Sequence, residues 1–154
     1  MIFRTQVELP ERQTEIRHSG QIMLFGSCFA ENIGNLLAEN KFRCDVNPFG
    51  ILYNPMSIAS ALHQLIEKDV FEAKDLFLAH GRWNSWMHHS DFSSSSQEET
   101  LAKVNLRFVK AKNKIAKANW LMVTFGTAYV YIHKETQEVV GNCHKMPERM
   151  FTRS

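Results

Sequence analysis

A chain of 154 residues is long enough for one domain with its own core, and 44% hydrophobic with 22% charged residues is an ordinary globular composition. A net charge of +2 argues against nucleic acid or a membrane surface as partner, and no run approaches the roughly 20 apolar residues of a membrane span. The three cysteines, Cys28, Cys44 and Cys143, form no C-x-x-C pair, and residues 1–10 lack the apolar stretch of a signal peptide. A disulfide framework and a zinc ribbon are therefore not expected, and the cytoplasm is the expected address.

Residues 1–20 are polar and irregular and read as an N-terminal arm; the domain proper is expected over 21–154. Gln21–Phe25 is a short apolar run, the pattern of a strand buried on both faces. Ile33, Leu36 and Leu37 recur at helical spacing and predict a helix over 30–40, in which Gly34 implies close packing against a neighbour. A short second strand is expected over 43–47, closed by Pro48-Phe-Gly50. Asn54-Pro55 is a helix start with N-cap and proline in place, and Ile58, Leu62, Leu65 and Ile66 predict its buried face.

Residues 70–92 are irregular and aromatic, with a hairpin expected near His80-Gly81. Ser96-x-x-Glu99 reads as a capping box opening a long helix whose inner face carries Leu101, Val104, Phe108 and Ile115. A further buried strand is expected over 120–125, then a β-hairpin from 129–133 and 138–141. Strands alternating with helices predict an α/β fold with a mostly parallel sheet.

In such a sheet ligands bind beyond the carboxyl ends of the strands. The pentapeptide Gly26-Ser-Cys-Phe-Ala30 lies there, at the junction of the first strand and the first helix. Glycine permits a sharp turn, and Ser27 is left at a helix N-terminus, either as a nucleophile or as a simple helix cap. Gly126 ends the strand over 120–125 and should open onto the same rim, as should the turn at 47–50. Cys28 is a competing nucleophile or a small structural cysteine. His88-His89-Ser-Asp91 is a compact group without metal-ligand spacing; His88 or His89 is read as lining a pocket, and Trp83 and Trp86 as core or stacking residues. Asn142-Cys-His-Lys145 follows the hairpin, and a site role for His144 stands beside an ordinary loop.

Gly26-Ser-Cys-Phe-Ala30 is, letter for letter, the word for which the GSCFA family is named. Asn47-Pro-Phe-Gly-Ile-Leu-Tyr-Asn-Pro55, Thr124-Phe-Gly-Thr-Ala128 and Gly141-Asn-Cys-His-Lys145 also resemble blocks of that family. The family in turn is similar to the SGNH (GDSL-like) esterases. The resemblance implies a three-layer, flavodoxin-like parallel sheet flanked by helices, with the hairpin near 129–141 as an addition. It implies a serine ester hydrolase or acyltransferase in which Ser27 forms the acyl-enzyme. Gly50 is implied as an oxyanion donor, with Asn142 or His144 replacing the asparagine that the esterase pattern has where Ala128 stands. Gly26, Cys28, Gly126, Thr127, His88 and His144 are the expected substrate-binding residues, and no metal or cofactor is called for.

No Asp-x-x-His occurs in the 154 residues. The resemblance therefore implies that the general base lies beyond Ser154 and that this chain is the N-terminal part of a domain. The expected partner is a small-molecule or carbohydrate ester, with self-association through an exposed sheet edge. The alternatives are a non-catalytic domain holding an anion or other small ligand at the helix N-terminus, or an inactive fragment.

Overall fold

A computed structural model of the chain describes residue 11, residues 14–141 and residues 143–154, with the side chain of Cys143 excluded. Its elements in order are β1 (Gln21–Phe25), α1 (Cys28–Glu39), β2 (Arg43–Val46), α2 (Pro55–Glu67), β3 (Leu76–Ala79), β4 (Arg82–Ser85), α3 (Gln97–Ile115), β5 (Trp120–Val123), β6 (Tyr131–His133), β7 (Val139–Val140) and β8 (Phe151–Arg153). No helix among the described residues is long and apolar enough to cross a membrane.

The central sheet has three strands in the order β2-β1-β5, all parallel. Alternation along β1 sends Met23 and Phe25 to one face and Ile22 and Leu24 to the other, and all four are buried. On the Met23 face α2 and α3 supply Ile58, Leu65, Val104 and Phe108 to the main core. On the opposite face α1 packs closely, and any side chain at Gly34 would overlap Val46 of β2. The expected mixed α/β fold, a parallel sheet flanked by helices, is what the chain adopts.

Local chemistry starts and stops these elements. Asn54 caps α2 by accepting from the Ser57 amide at 2.7 Å, with Pro55 at the first helical position. Ser96 caps α3 through the Glu99 amide at 3.2 Å, but its own amide donates to Ser94 Oγ at 3.2 Å rather than to the Glu99 side chain, so the reciprocal half of the expected box is absent among the described bonds. His80 and Gly81 both have positive φ and form the tight turn between β3 and β4. Some expectations shift. Ile66 is 72% exposed rather than buried on α2, because the helix turns only its Ile58, Ala61 and Leu65 stripe to the core. The hairpin β6-β7 forms as expected, but β8 adds to its other side and makes a three-stranded antiparallel sheet.

A buried ion pair joins sheet and helix. Asp45 on β2 is 4% exposed, and both its carboxylate oxygens receive the guanidinium of Arg107 on α3, one of them at 3.2 Å. Arg107 also donates to the carbonyl of Val46 at 3.1 Å. Lys114 Nζ lies 4.0 Å from Asp45 Oδ2, so loss of Arg107 leaves the buried carboxylate with only this weaker counter-ion. Arg107→Met should lower unfolding stability by about 3 kcal/mol in denaturant titration. β5 ends the parallel sheet with no strand on its outer side among the described residues, and it is not the buried strand expected over 120–125: Leu121 is 50% exposed and Phe125 61%. An open apolar edge of this kind templates strand pairing. The 154-residue chain should therefore show an average mass that rises with concentration in light scattering, and Leu121→Lys should lower it.

Candidate active site

The carboxyl ends of β1, β2 and β5 meet at Gly26. Its φ is +145°, and a side chain there would collide with the carbonyl of Thr124, just past β5. Its amide donates to Oδ1 of Asn47 at 2.9 Å, just past β2, and its carbonyl accepts from the Leu52 amide at 3.0 Å. All three rim turns are thus tied to one residue.

Ser27 follows as the N-cap of α1. It is 9% exposed, and its Oγ accepts from the Phe29 amide at 3.3 Å. Thr124 Oγ1 stands 3.4 Å from Ser27 Oγ and receives the Ser27 amide at 3.3 Å. Among the described residues no imidazole or carboxylate lies within hydrogen-bond distance of Ser27 Oγ. Cys28, in the first turn of α1, is exposed rather than a small buried structural residue.

The expected site residues separate into three groups. Gly26, Gly126 and Thr127 lie around Ser27: a methyl built on Gly126 would stand 3.6 Å from Ser27 Cβ. The amides of Gly126 and Thr127 both donate to the carbonyl of Tyr53, at 2.8 and 3.2 Å. Gly50 has a positive φ of 86° beneath His89, but its amide closes a turn onto the Asn47 carbonyl at 2.8 Å. That N–H is already spent, which removes the oxyanion role expected of it in this conformation. Asn142 lies outside the described residues.

A cavity of about 330 Å³ opens beside this rim, lined by Tyr53, Thr127, Tyr129, Tyr131, His89 and His144 among others. His144 does reach the expected location, where its Nε2 meets Ser90 Oγ at 3.3 Å. Burial, then the charges of Lys145 and His89, hold the His144 imidazole below its ordinary pKa. The His89 ring, 6.4 Å away centre to centre, is paired through Nδ1 with Asp91 at 3.1 Å. A larger cavity of about 580 Å³, between α2 and the β3-β4 hairpin, contains none of the residues around Ser27. Trp86 lines that one and is stacked on Phe77 at 3.7 Å. Among the described residues no group of histidine, cysteine and carboxylate side chains is arranged to hold a metal.

His88 is the clear correction. It does not line a pocket: it is 1% exposed and stacked on Phe49 at 4.6 Å inside the aromatic core. Its Nδ1 meets Ser85 Oγ at 2.9 Å, while Nε2 is buried without a partner. The expectation failed because adjacent residues His88 and His89 diverge, one into the core and one to the cavity. Asn47, Tyr53 and Thr124 were missed. A polar residue directly after a strand was the available signal for Asn47, which precedes Pro48, and for Thr124, two residues before Gly126.

Burial, then the charges of Lys145 and Arg107, push the His88 imidazole down from 6.5 to about 3. The unfolded chain takes up this proton near pH 6.5 and the folded chain only near 3. Stability contributed above pH 6.5 is therefore lost as pH falls through that window, at about 1.4 kcal/mol per pH unit. Urea midpoints measured from pH 7 to 4 should fall, and His88→Phe should flatten that fall.

The family model described as the GSCFA family matches residues 21–154. No curated protein and no solved structure matches the chain. The match runs from β1 through β8 and takes in the Gly26 junction, the Thr124–Gly126 turn and the cavity wall. The chain belongs to the GSCFA family.

Proposed function

We propose that the protein is a serine-dependent ester hydrolase or acyltransferase of SGNH type, with Ser27 as nucleophile and the adjoining cavity as the substrate site. One observation carries this reading. Three strand ends converge on Gly26 and place a serine hydroxyl at a helix N-terminus next to the Gly126-Thr127 turn, whose Thr127 lines an aromatic-walled cavity. The three-layer esterase architecture belongs to the same proposal, as does a cytoplasmic address.

In this mechanism Ser27 Oγ attacks the ester carbonyl, the alcohol leaves, and water or a second alcohol then takes the acyl group. Charge gathers on the carbonyl oxygen, where each preorganised donor is worth about 3–4 kcal/mol of barrier. The Ser27 amide is the first donor, since its partner is only a hydroxyl at 3.3 Å. Asn47 Nδ2 is the second: it is buried without a partner among the described residues, and the bond from Gly26 to its Oδ1 fixes the carboxamide. The positive end of α1 adds a smaller favourable field. Thr124 Oγ1 holds the serine hydroxyl in place but is too weak a base to take its proton. The reaction requires a general base that no described side chain supplies at hydrogen-bond distance.

A second reading has its own support. Ser27 Oγ already serves as a helix cap, and the Gly50 amide is closed into a turn. Both are what a non-catalytic domain holding an anion or other small ligand would show. A fluorophosphonate separates the two. Covalent labelling should map to Ser27, vanish in Ser27→Ala and persist in Cys28→Ala. In a protein that carries the required general base, labelling confined to Cys28, or none, would establish the non-catalytic reading.

A further inference from the structure

Lys145 is 7% exposed, yet no carboxylate lies within ion-pair distance of it among the described residues. Its Nζ instead donates to two backbone carbonyls, Ser85 at 2.8 Å and His88. Those carbonyls converge because the segment between them is folded by its own side chain: Ser85 Oγ receives the Met87 amide at 3.3 Å and meets His88 Nδ1 at 2.9 Å. The result is a polar cradle sized for a compact ammonium rather than a planar guanidinium. A buried cation held only by neutral carbonyls is a costly element, because it gives up hydration without a full countercharge.

Its position gives the cost a use. Lys145 ends the short 3-10 turn Cys143–Lys145, and His144 is the residue before it. The cradle belongs to the segment that continues directly into His89, which lines the cavity with His144, and Ser90, whose Oγ bonds His144 Nε2. One ammonium thus ties the 143–145 turn to carbonyls 57 and 60 residues away, next to the segment that carries His89.

We propose that Lys145 is a positioning residue: its ammonium clamps the 143–145 turn onto the carbonyls of Ser85 and His88 and thereby shapes the cavity wall formed by His144 and His89, with Ser90 bonded to His144. The clamp rests on geometry alone, while its service to a reaction rests on the reading of Ser27 given above. Burial also pushes Lys145 down from 10.5 to about 8, so the group remains mostly charged at neutral pH.

The test uses the whole chain and two readouts. In hydrogen exchange at neutral pH, Lys145→Met should raise exchange over residues 143–146 about tenfold or more while β1 stays protected. Unchanged exchange there overturns the clamp, and so does a uniform rise that includes β1. In labelling, a small alkyl fluorophosphonate is compared with one carrying a bulky aryl alcohol that must enter the cavity. The ratio of bulky to small labelling rates should fall about tenfold in Lys145→Met, because a displaced wall misplaces only the larger probe. Ser90→Ala, which keeps the clamp but frees His144, should shift the ratio in the same direction. A ratio unchanged in both variants overturns the positioning role. If Ser27 labels in no variant of a protein that carries its general base, the nucleophile reading falls and the positioning role with it, while exchange still decides the clamp. If Lys145→Met does not fold, Lys145→Gln, with an amide donor on a shorter stem, serves the same comparison.

Discussion

Gly26 is where the fold and the candidate chemistry become the same problem. Parallel strands bring their carboxyl ends to one rim, but side chains normally keep the connecting turns apart. The missing Cβ at Gly26 lets β1 pass against the Thr124 carbonyl, and both polar groups of its peptide units are taken by the neighbouring turns. Ser27 inherits its place from that crossing. Its hydroxyl is fixed by Thr124 and by the first turn of α1, so orientation costs little entropy when a ligand arrives.

Around this junction the protein holds polar groups inside an apolar frame. Asp45 with Arg107 fastens α3 to β2, and the carboxamide of Asn105 closes on the amide and carbonyl of Phe71 at 2.8 and 2.9 Å. His88 sits among Phe49, Phe71 and Phe92. Lys145 binds two carbonyls of the adjoining turn. Each of these buried groups would be expensive alone, and each is tolerable only with its partners in one arrangement. Such groups penalise alternative packings more than they add to net stability.

The elements readable in advance were those with strong local chemistry. β1 and β5 are apolar runs, α2 has an asparagine cap followed by proline, and the β3-β4 turn contains glycine; all of them form. β8 was not foreseen because Phe151-Thr-Arg153 is three residues long and pairs only by lying against β6. Of the site, the positions of Ser27, Gly126, Thr127 and His144 followed from a junction, a strand end and a hairpin. The fate of His88 did not, because a histidine in an aromatic segment carries no sign of which way it faces. Nor did the fate of the Gly50 amide, since a donor's availability depends on whether a turn consumes it.

By itself the amino-acid sequence determined the fold class, the strand-to-helix junction bearing a serine and the GSCFA membership, because these rest on local spacing and on contiguous words. The tertiary structure alone decided which polar groups are free and which are spent. It gave Ser27 the threonine across the rim, closed Gly50 onto Asn47, sank His88 into the core and set Lys145 beneath the cavity wall. Apart from the Gly50 turn, those outcomes join residues tens of positions apart. Competition among donors for one acceptor is settled by packing in space, which no local pattern encodes.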